Sequence, residues 1–155
     1  MSIQVEEDNT AEVLAALGKA GTKILEVIGG MMESNAKREV TKSVYSTPAS
    51  SWYKRTGALR NSITHRKDGD SVIVGSDIHY APYIELGTGK EYSPPPEWME
   101  NQAKKGRGLD KWYYKDEEGN WHVGFPQKPR PFLRPAVENH IDEYKKAAEK
   151  ELNNA

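Results

Sequence analysis

Apolar residues recur at three- and four-residue steps at Leu14, Leu17, Gly21, Ile24, Ile28 and Met31, then less regularly at Val40 and Val44. A stripe of this kind predicts one long amphipathic helix, the main core helix of the domain. Asn9 with Glu12 three residues on is a capping-box variant that can satisfy the first free N–H groups. Gly29-Gly30 is the weak point, because each glycine costs about 1 kcal/mol relative to alanine inside a helix. A kink or break is expected there. Pro48 and the small polar residues from Ser46 to Ser51 then end the helix in a loop.

Beyond the loop the period changes. Thr56-Gly57 punctuates the chain, Ala58-Leu59-Arg60 begins a new element, and Ser62 to Arg66 alternates in the manner of a half-buried strand. Asp68-Gly69 supplies a hairpin turn and Ser71 to Ser76 the return strand. His79 to Leu86 is expected as a third extended segment, with Pro82 holding part of it at an edge or bulge. A second hairpin is expected within residues 90–128. Its strands are Lys111 to Lys115 and Trp121 to Phe125, joined by Asp116-Glu117-Glu118-Gly119-Asn120. Pro94-Pro95-Pro96 stiffens the approach, Glu97 to Lys105 reads as a short helix, and Lys104 to Gly108 as a mobile basic tip. Pro129 to Pro135 leads into a last helix whose stripe is Val137, Ile141, Tyr144, Ala148 and Leu152. Together these elements predict a single α+β domain over residues 1–155. It has a long N-terminal helix, a small antiparallel meander with an inserted aromatic hairpin, and a C-terminal helix packed on the sheet.

Composition bears on what such a domain can do alone. Hydrophobic residues are 36% of 155 and mean hydropathy is −0.82, so the core is modest and part of the order is expected to come from neighbours in an assembly. The absence of cysteine removes disulfides, thiolate chemistry and Cys-type zinc sites, and fits an intracellular setting. Neither a signal peptide nor an apolar run of about 18 residues is present, so no membrane partner is expected. The net charge of −1 hides a division: residues 1–36 carry two basic and six acidic side chains, and residues 37–67 eight basic and one acidic. A ring-forming subunit can pair such regions across copies. Trp52, Tyr53, Lys54 and Arg55, with the tip around Arg107, are the alternative, a basic and aromatic surface for nucleic acid.

Candidate chemistry is sparse. His65, His79, His122 and His140 lack metal-ligand spacing. Gly87-Thr88-Gly89-Lys90 has part of a phosphate loop, but proline-rich chain follows it instead of a helix. Glu85 lies in an apolar segment and is expected to be partly buried near Arg60, as a structural ion pair or a cap on a turn. No nucleophile–base constellation stands out, and neither catalysis nor a cofactor is expected. The aromatic hairpin, with Trp112, Tyr113, Tyr114, Trp121 and Phe125, either contacts a partner or folds back over the sheet.

Three phrases in order resemble a siphophage neck and minor-tail family: Thr56-Gly57-Ala58-Leu59-Arg60-Asn61-Ser62-Ile63, Tyr80-Ala81-Pro82-Tyr83-Ile84-Glu85-Leu86-Gly87-Thr88, and Arg130-Pro131-Phe132-Leu133-Arg134-Pro135-Ala136. Its members are tail-completion or head–tail joining proteins, similar in role to minor tail protein Z of lambda-type phages. The resemblance implies an α+β fold repeated in a ring, hexameric in the family, at the head–tail junction of a virion assembled in the host cytoplasm. It implies neighbours among connector, stopper, tail-terminator and tail-tube proteins, and proximity to packaged DNA. Under it the matched residues are scaffold positions. Residues 90–128 depart from the family pattern, and their contacts are not implied by it.

Overall fold

The computed structural model describes residues 10–46, 48, 55–99 and 108–154. Asn9 of the expected capping box, Trp52, Tyr53, Lys54 and the tip at Lys104 to Arg107 lie outside those residues, as does most of the helix expected from Glu97.

Helix α1 runs from Thr10 to Glu39 and widens into a π-helical turn at Val40–Val44, where the Tyr45 N–H donates to the Val40 carbonyl at 3.0 Å. It passes through Gly29-Gly30 without a break, against expectation. Gly29 is buried, and a Cβ there would come within 2.4 Å of the His65 ring and 2.7 Å of a Val72 methyl. Close packing of the sheet against α1 thus outweighs the intrinsic cost of glycine. The buried face is Ala20, Asn35, Ala36, Val40 and Val44, whereas Leu14 at the start of the expected stripe is 63% exposed. Of these, Ala36, Val40 and Val44 join the central core cluster.

After Gly57, which takes a left-handed φ of 78°, α2 spans Ala58–Ser62 and leads directly into β1, Ile63–Asp68. β1 pairs antiparallel with β2, Ser71–Ser76, in the register Ile63↔Ser76 to Asp68↔Ser71, and Gly69 provides the positive φ at the turn. Strand alternation turns Ile63, His65 and Lys67 to one face. That face meets α1, as the His65 ring against Gly29 and the Lys67 bond to Thr22 show.

The third strand of the meander does not form. Residues Ala81–Leu86 are helix α3, with Pro82 in its first turn and Gly87 just beyond its end at φ 72°. Proline early and glycine late is the helix pattern, and it prevails over the apparent alternation. The sheet therefore has two strands, and a second two-stranded sheet is the expected aromatic hairpin: β3, Trp112–Lys115, and β4, Trp121–Gly124.

The C-terminal helix is divided into α4, Leu133–Glu138, and α5, Ile141–Asn153. α5 lies along α1 and not on the sheet. Asn35 Nδ2 donates to the Tyr144 hydroxyl at 2.9 Å, that hydroxyl donates to the Ala136 carbonyl, and Lys23 pairs with Glu151. Burial raises the pKa of the Tyr144 hydroxyl. Of the expected stripe Tyr144 is buried, but Ile141 is 46% exposed and Leu152 is exposed too, because the break at Asn139-His140 resets the helical phase.

The core joins what the sequence separates. Ala36, Val40 and Val44 of the first helix meet Leu59 and Ile63, Ala81, and Phe132 and Ala136, all buried. Each of the three phrases contributes to this one cluster. The α+β class and the order of elements follow the expectation.

Candidate functional site

The second and third phrases are tied by a buried carboxylate. Glu85, on α3, is 3% exposed, and its Oε2 accepts from the backbone N–H of Phe132 at 2.6 Å and of Leu133 at 2.9 Å, while Oε1 accepts from Arg134 N–H at 2.9 Å. These are the first free N–H groups of α4. Phe132, at the N-cap, has no capping side chain of its own, so Glu85 does from 47 residues away what Ser or Asp does locally. In place of the expected ion pair or cap on a turn, the carboxylate caps the start of a distant helix. The expected neighbour, Arg60, is not among its bonded partners.

The glycines after Glu85 hold the base of the hairpin. A Cβ on Gly87 would sit 2.6 Å from the Gln127 carbonyl, and one on Gly89, at φ 60°, 2.5 Å from the Leu109 carbonyl. Between them Thr88 N–H donates to the Gln127 carbonyl at 2.9 Å, and Thr88 Oγ1 accepts from Gln127 N–H at 3.0 Å. Lys90 N–H and Gly108 N–H continue the join through Leu109 and Gly89. With the Thr88 and Lys90 N–H groups committed to the chain itself and no long helix following, Gly87-Thr88-Gly89 is a clasp and not a cradle for phosphate. Ile84 extends it, its carbonyl accepting from Arg130 N–H at 2.8 Å.

Carried on that clasp, the hairpin sorts its aromatics by strand alternation. On one face the rings meet partners within the hairpin: Trp112 covers Gly124, where a Cβ would strike the indole at 2.3 Å, and Tyr114, itself half exposed, stacks on His122. The other face presents Tyr113 at 61%, Trp121 at 68% and Phe125 at 64% exposure, with Val123 between them. Lys111 and Lys115 lie over the rings of Tyr113 and Trp121. Of the two readings of this hairpin, folding back over the sheet does not describe this face. An apolar face exposed on an anchored hairpin suits a partner contact.

The remaining candidates fall to structural roles. The Arg55 guanidinium donates to the Tyr45 carbonyl at 2.7 Å and lies 5.6 Å from its ring, clamping the end of the first helix. Leu59 and Ile63 are buried, Ser62 Oγ bonds Ser76 Oγ across the sheet at 2.7 Å, and the Thr56 hydroxyl accepts from Ala58 N–H. Arg60 is exposed; Tyr83, Pro131 and Pro135 are half-buried, and Tyr80 packs against the core. His65 bonds Glu33, His122 bonds Asp116 and His140 bonds Glu143, a different single carboxylate each time. Hydrogen bonds from Lys37 first, then His65, lower the pKa of Glu33. Among the described residues no cluster of His, Asp and Glu could hold a metal, and no helix is long and apolar enough to cross a membrane.

Sequence reasoning missed how Glu85 is used. The signal was present in Phe132-Leu133-Arg134-Pro135, a helix start lacking Ser, Thr, Asp or Asn at its cap and so requiring an acceptor from elsewhere.

These features define a small α+β domain whose core is organised by a buried cap and which presents a clasped apolar hairpin. A family model described as "Bacteriophage HK97-gp10, putative tail-component" matches residues 8–87, just over half of the 155. The chain belongs to this HK97-gp10-like family, and its role is that of a structural component of a bacteriophage tail, within a virion and among other virion proteins. The matched span holds the first phrase and nearly all of the second, and the third joins them through Glu85. Comparison with curated proteins and with solved structures gives no match.

Proposed function

We propose that the chain acts without catalysis as a ring-forming subunit at the head–tail junction, completing the tail or joining it to the head. The observation that carries this reading is the exposed face of Tyr113, Trp121, Val123 and Phe125 on a clasped base, a surface that the described residues leave open. The division between an acidic first segment and a basic second one supports pairing between copies. Closed rings are how one repeated contact yields a finite assembly. Six copies is the number that the resemblance implies. Connector, stopper, terminator or tube proteins would then lie above and below the ring, with DNA passing through its lumen.

Native mass spectrometry of the purified chain and electron microscopy of particles made without it test the reading. A discrete oligomer, and heads and tails that accumulate unjoined or tails of unfinished end, are expected. A strict monomer together with normal joining would overturn it.

A further inference from the structure

Among the described residues β2 is paired with β1 along one edge only. Val72 to Ser76 line a groove of about 590 Å³ beside that strand, with Met32, Trp98, Met99, Leu133 and Val137 among its apolar walls. Trp98 and Ile73 are half exposed at its mouth. The open edge of a two-stranded sheet offers alternate N–H and C=O groups to water or to another strand.

The counterpart is on the same molecule. Among the described residues β3 and β4 each have one unpaired edge, and one face of their hairpin carries Tyr113, Trp121, Val123 and Phe125. Charge matches as well as apolarity. Arg66 and Asp68 stand two apart on the same face of β1 and line the groove, and neither has an ion-pair partner among the described residues. The hairpin brings the complementary set: Lys115 at the end of β3, then Glu117 and Glu118 in the turn, the two glutamates also without an ion pair among those residues.

We propose that the hairpin of one copy seats in the β2 groove of the next, extending the β1–β2 sheet by strand addition while its apolar face packs over the groove. This rests on the self-association proposed above and names the surfaces that carry it. Groove and hairpin are different surfaces, so the contact runs head to tail and repeats from copy to copy until a ring closes. It also gives the clasp at Gly87-Thr88-Gly89 a purpose, since it fixes the angle at which each copy offers its hairpin.

The chain has no cysteine, so introduced thiols report the contact without interference. Full-length Ile73→Cys and Tyr113→Cys proteins, both altered at exposed positions, are mixed, allowed to assemble and oxidised, with native mass measured in parallel. A disulfide-linked dimer from the mixture, absent from either protein alone, is expected. An oligomer in native mass without that cross-link overturns the hairpin-in-groove contact and leaves the ring reading standing. A strict monomer overturns both. In assembled tails, a groove thiol that links only to a different virion protein also overturns the second copy as occupant. As a second measurement, Arg66→Glu should raise the concentration needed for assembly about tenfold or more, and Glu117→Arg with Glu118→Arg in the neighbouring copies should recover much of the loss. Equal assembly by all three proteins overturns the charge match.

Discussion

The segment Arg55 to Gly89 and the hairpin Lys111 to Phe125 both depend on apolar residues in short elements, yet they use them in opposite ways. In the first, Leu59, Ile63, Ala81 and Leu86 turn inward, and long-range bonds such as those of Glu85 make the segment inseparable from residues 130–136. In the second, Tyr113, Trp121 and Phe125 turn outward, and the bonds of the turn are local, from Asp116 to Asn120 and His122. Large apolar side chains therefore mark the core in one region and a surface in the other. What separates the two cases is whether distant backbone closes over the segment. Mutations should divide along the same line, altering stability in the first region and assembly in the second.

The largest effect is expected at Glu85. Glu85→Ala leaves the N–H groups of Phe132, Leu133 and Arg134 without their acceptor at a buried helix start. With each unsatisfied buried group costing about 1–3 kcal/mol, partly relieved by water, a loss of about 3–5 kcal/mol in chemical denaturation is expected. Glu85→Gln keeps an acceptor and should lose about half as much. A loss under about 1 kcal/mol for the alanine variant would mean that α4 does not depend on this cap.

The adjacent glycines of α1 should respond with opposite signs. Gly29→Ala places a methyl against His65 and Val72, and overpacking of about 1–3 kcal/mol exceeds the gain of about 1 kcal/mol in helix propensity. Gly30 has nothing within 4 Å of the corresponding position, so Gly30→Ala should stabilise by about 0.5–1 kcal/mol. Thermal melting of the pair decides it, and equal shifts would remove the account of Gly29 as the place where the sheet approaches the helix.

Outward substitutions test the other half of the comparison. Replacing Tyr113 and Trp121 together by serine should change unfolding free energy by no more than about 0.5 kcal/mol, as is usual for surface positions, while abolishing the oligomer. Loss of folding would show that the hairpin belongs to the core after all. Ile141→Asp, which a continuous stripe through the last helix would make severe, should be mild at a half-exposed position.

The sequence made much of this fold legible wherever period and punctuation agreed. The long helix, the turn at Asp68-Gly69, the aromatic hairpin and the first turn of the last helix all carry local signals, and they lie where expected. The failures share a physical cause. Tyr80 to Leu86 alternates like a strand but is bracketed by Pro82 and Gly87, and the bracket outweighs a weak alternation over six residues. Gly29 resembles a break until the sheet it admits is known. Helical periodicity also cannot show where packing stops, so Leu14 reads as core although it is exposed. The site was half legible: Glu85 could be read as a cap, but its recipient is 47 residues away, and that distance is a property of topology, not of spacing.

The smallest effect concerns the hairpin's own turn. The Asp116 carboxylate accepts from the His122 ring at 2.7 Å and from Asn120 N–H at 2.8 Å, and these bonds, the His122 one foremost, lower its pKa to about 2. An unfolded aspartate titrates near about 3.9. The folded value is the lower, so the stabilisation is fully present above pH ~3.9 and is lost as pH falls through about 2. The group is partly open to solvent and its bonds stay within the hairpin, so this is a local ordering of the turn and not a support of the whole fold. Followed by NMR from pH 6 downward, the Asn120 amide of the wild type should scarcely shift by about pH 3.9, where an ordinary aspartate is half protonated. Asp116→Asn should displace that resonance at neutral pH and loosen the stack of Tyr114 on His122 while melting of the core stays the same. A wild-type midpoint near 3.9 would show that the His122 contact does not hold the turn, and a fall in core melting for Asp116→Asn would show that the hairpin is not the energetically separate unit that its local bonds imply.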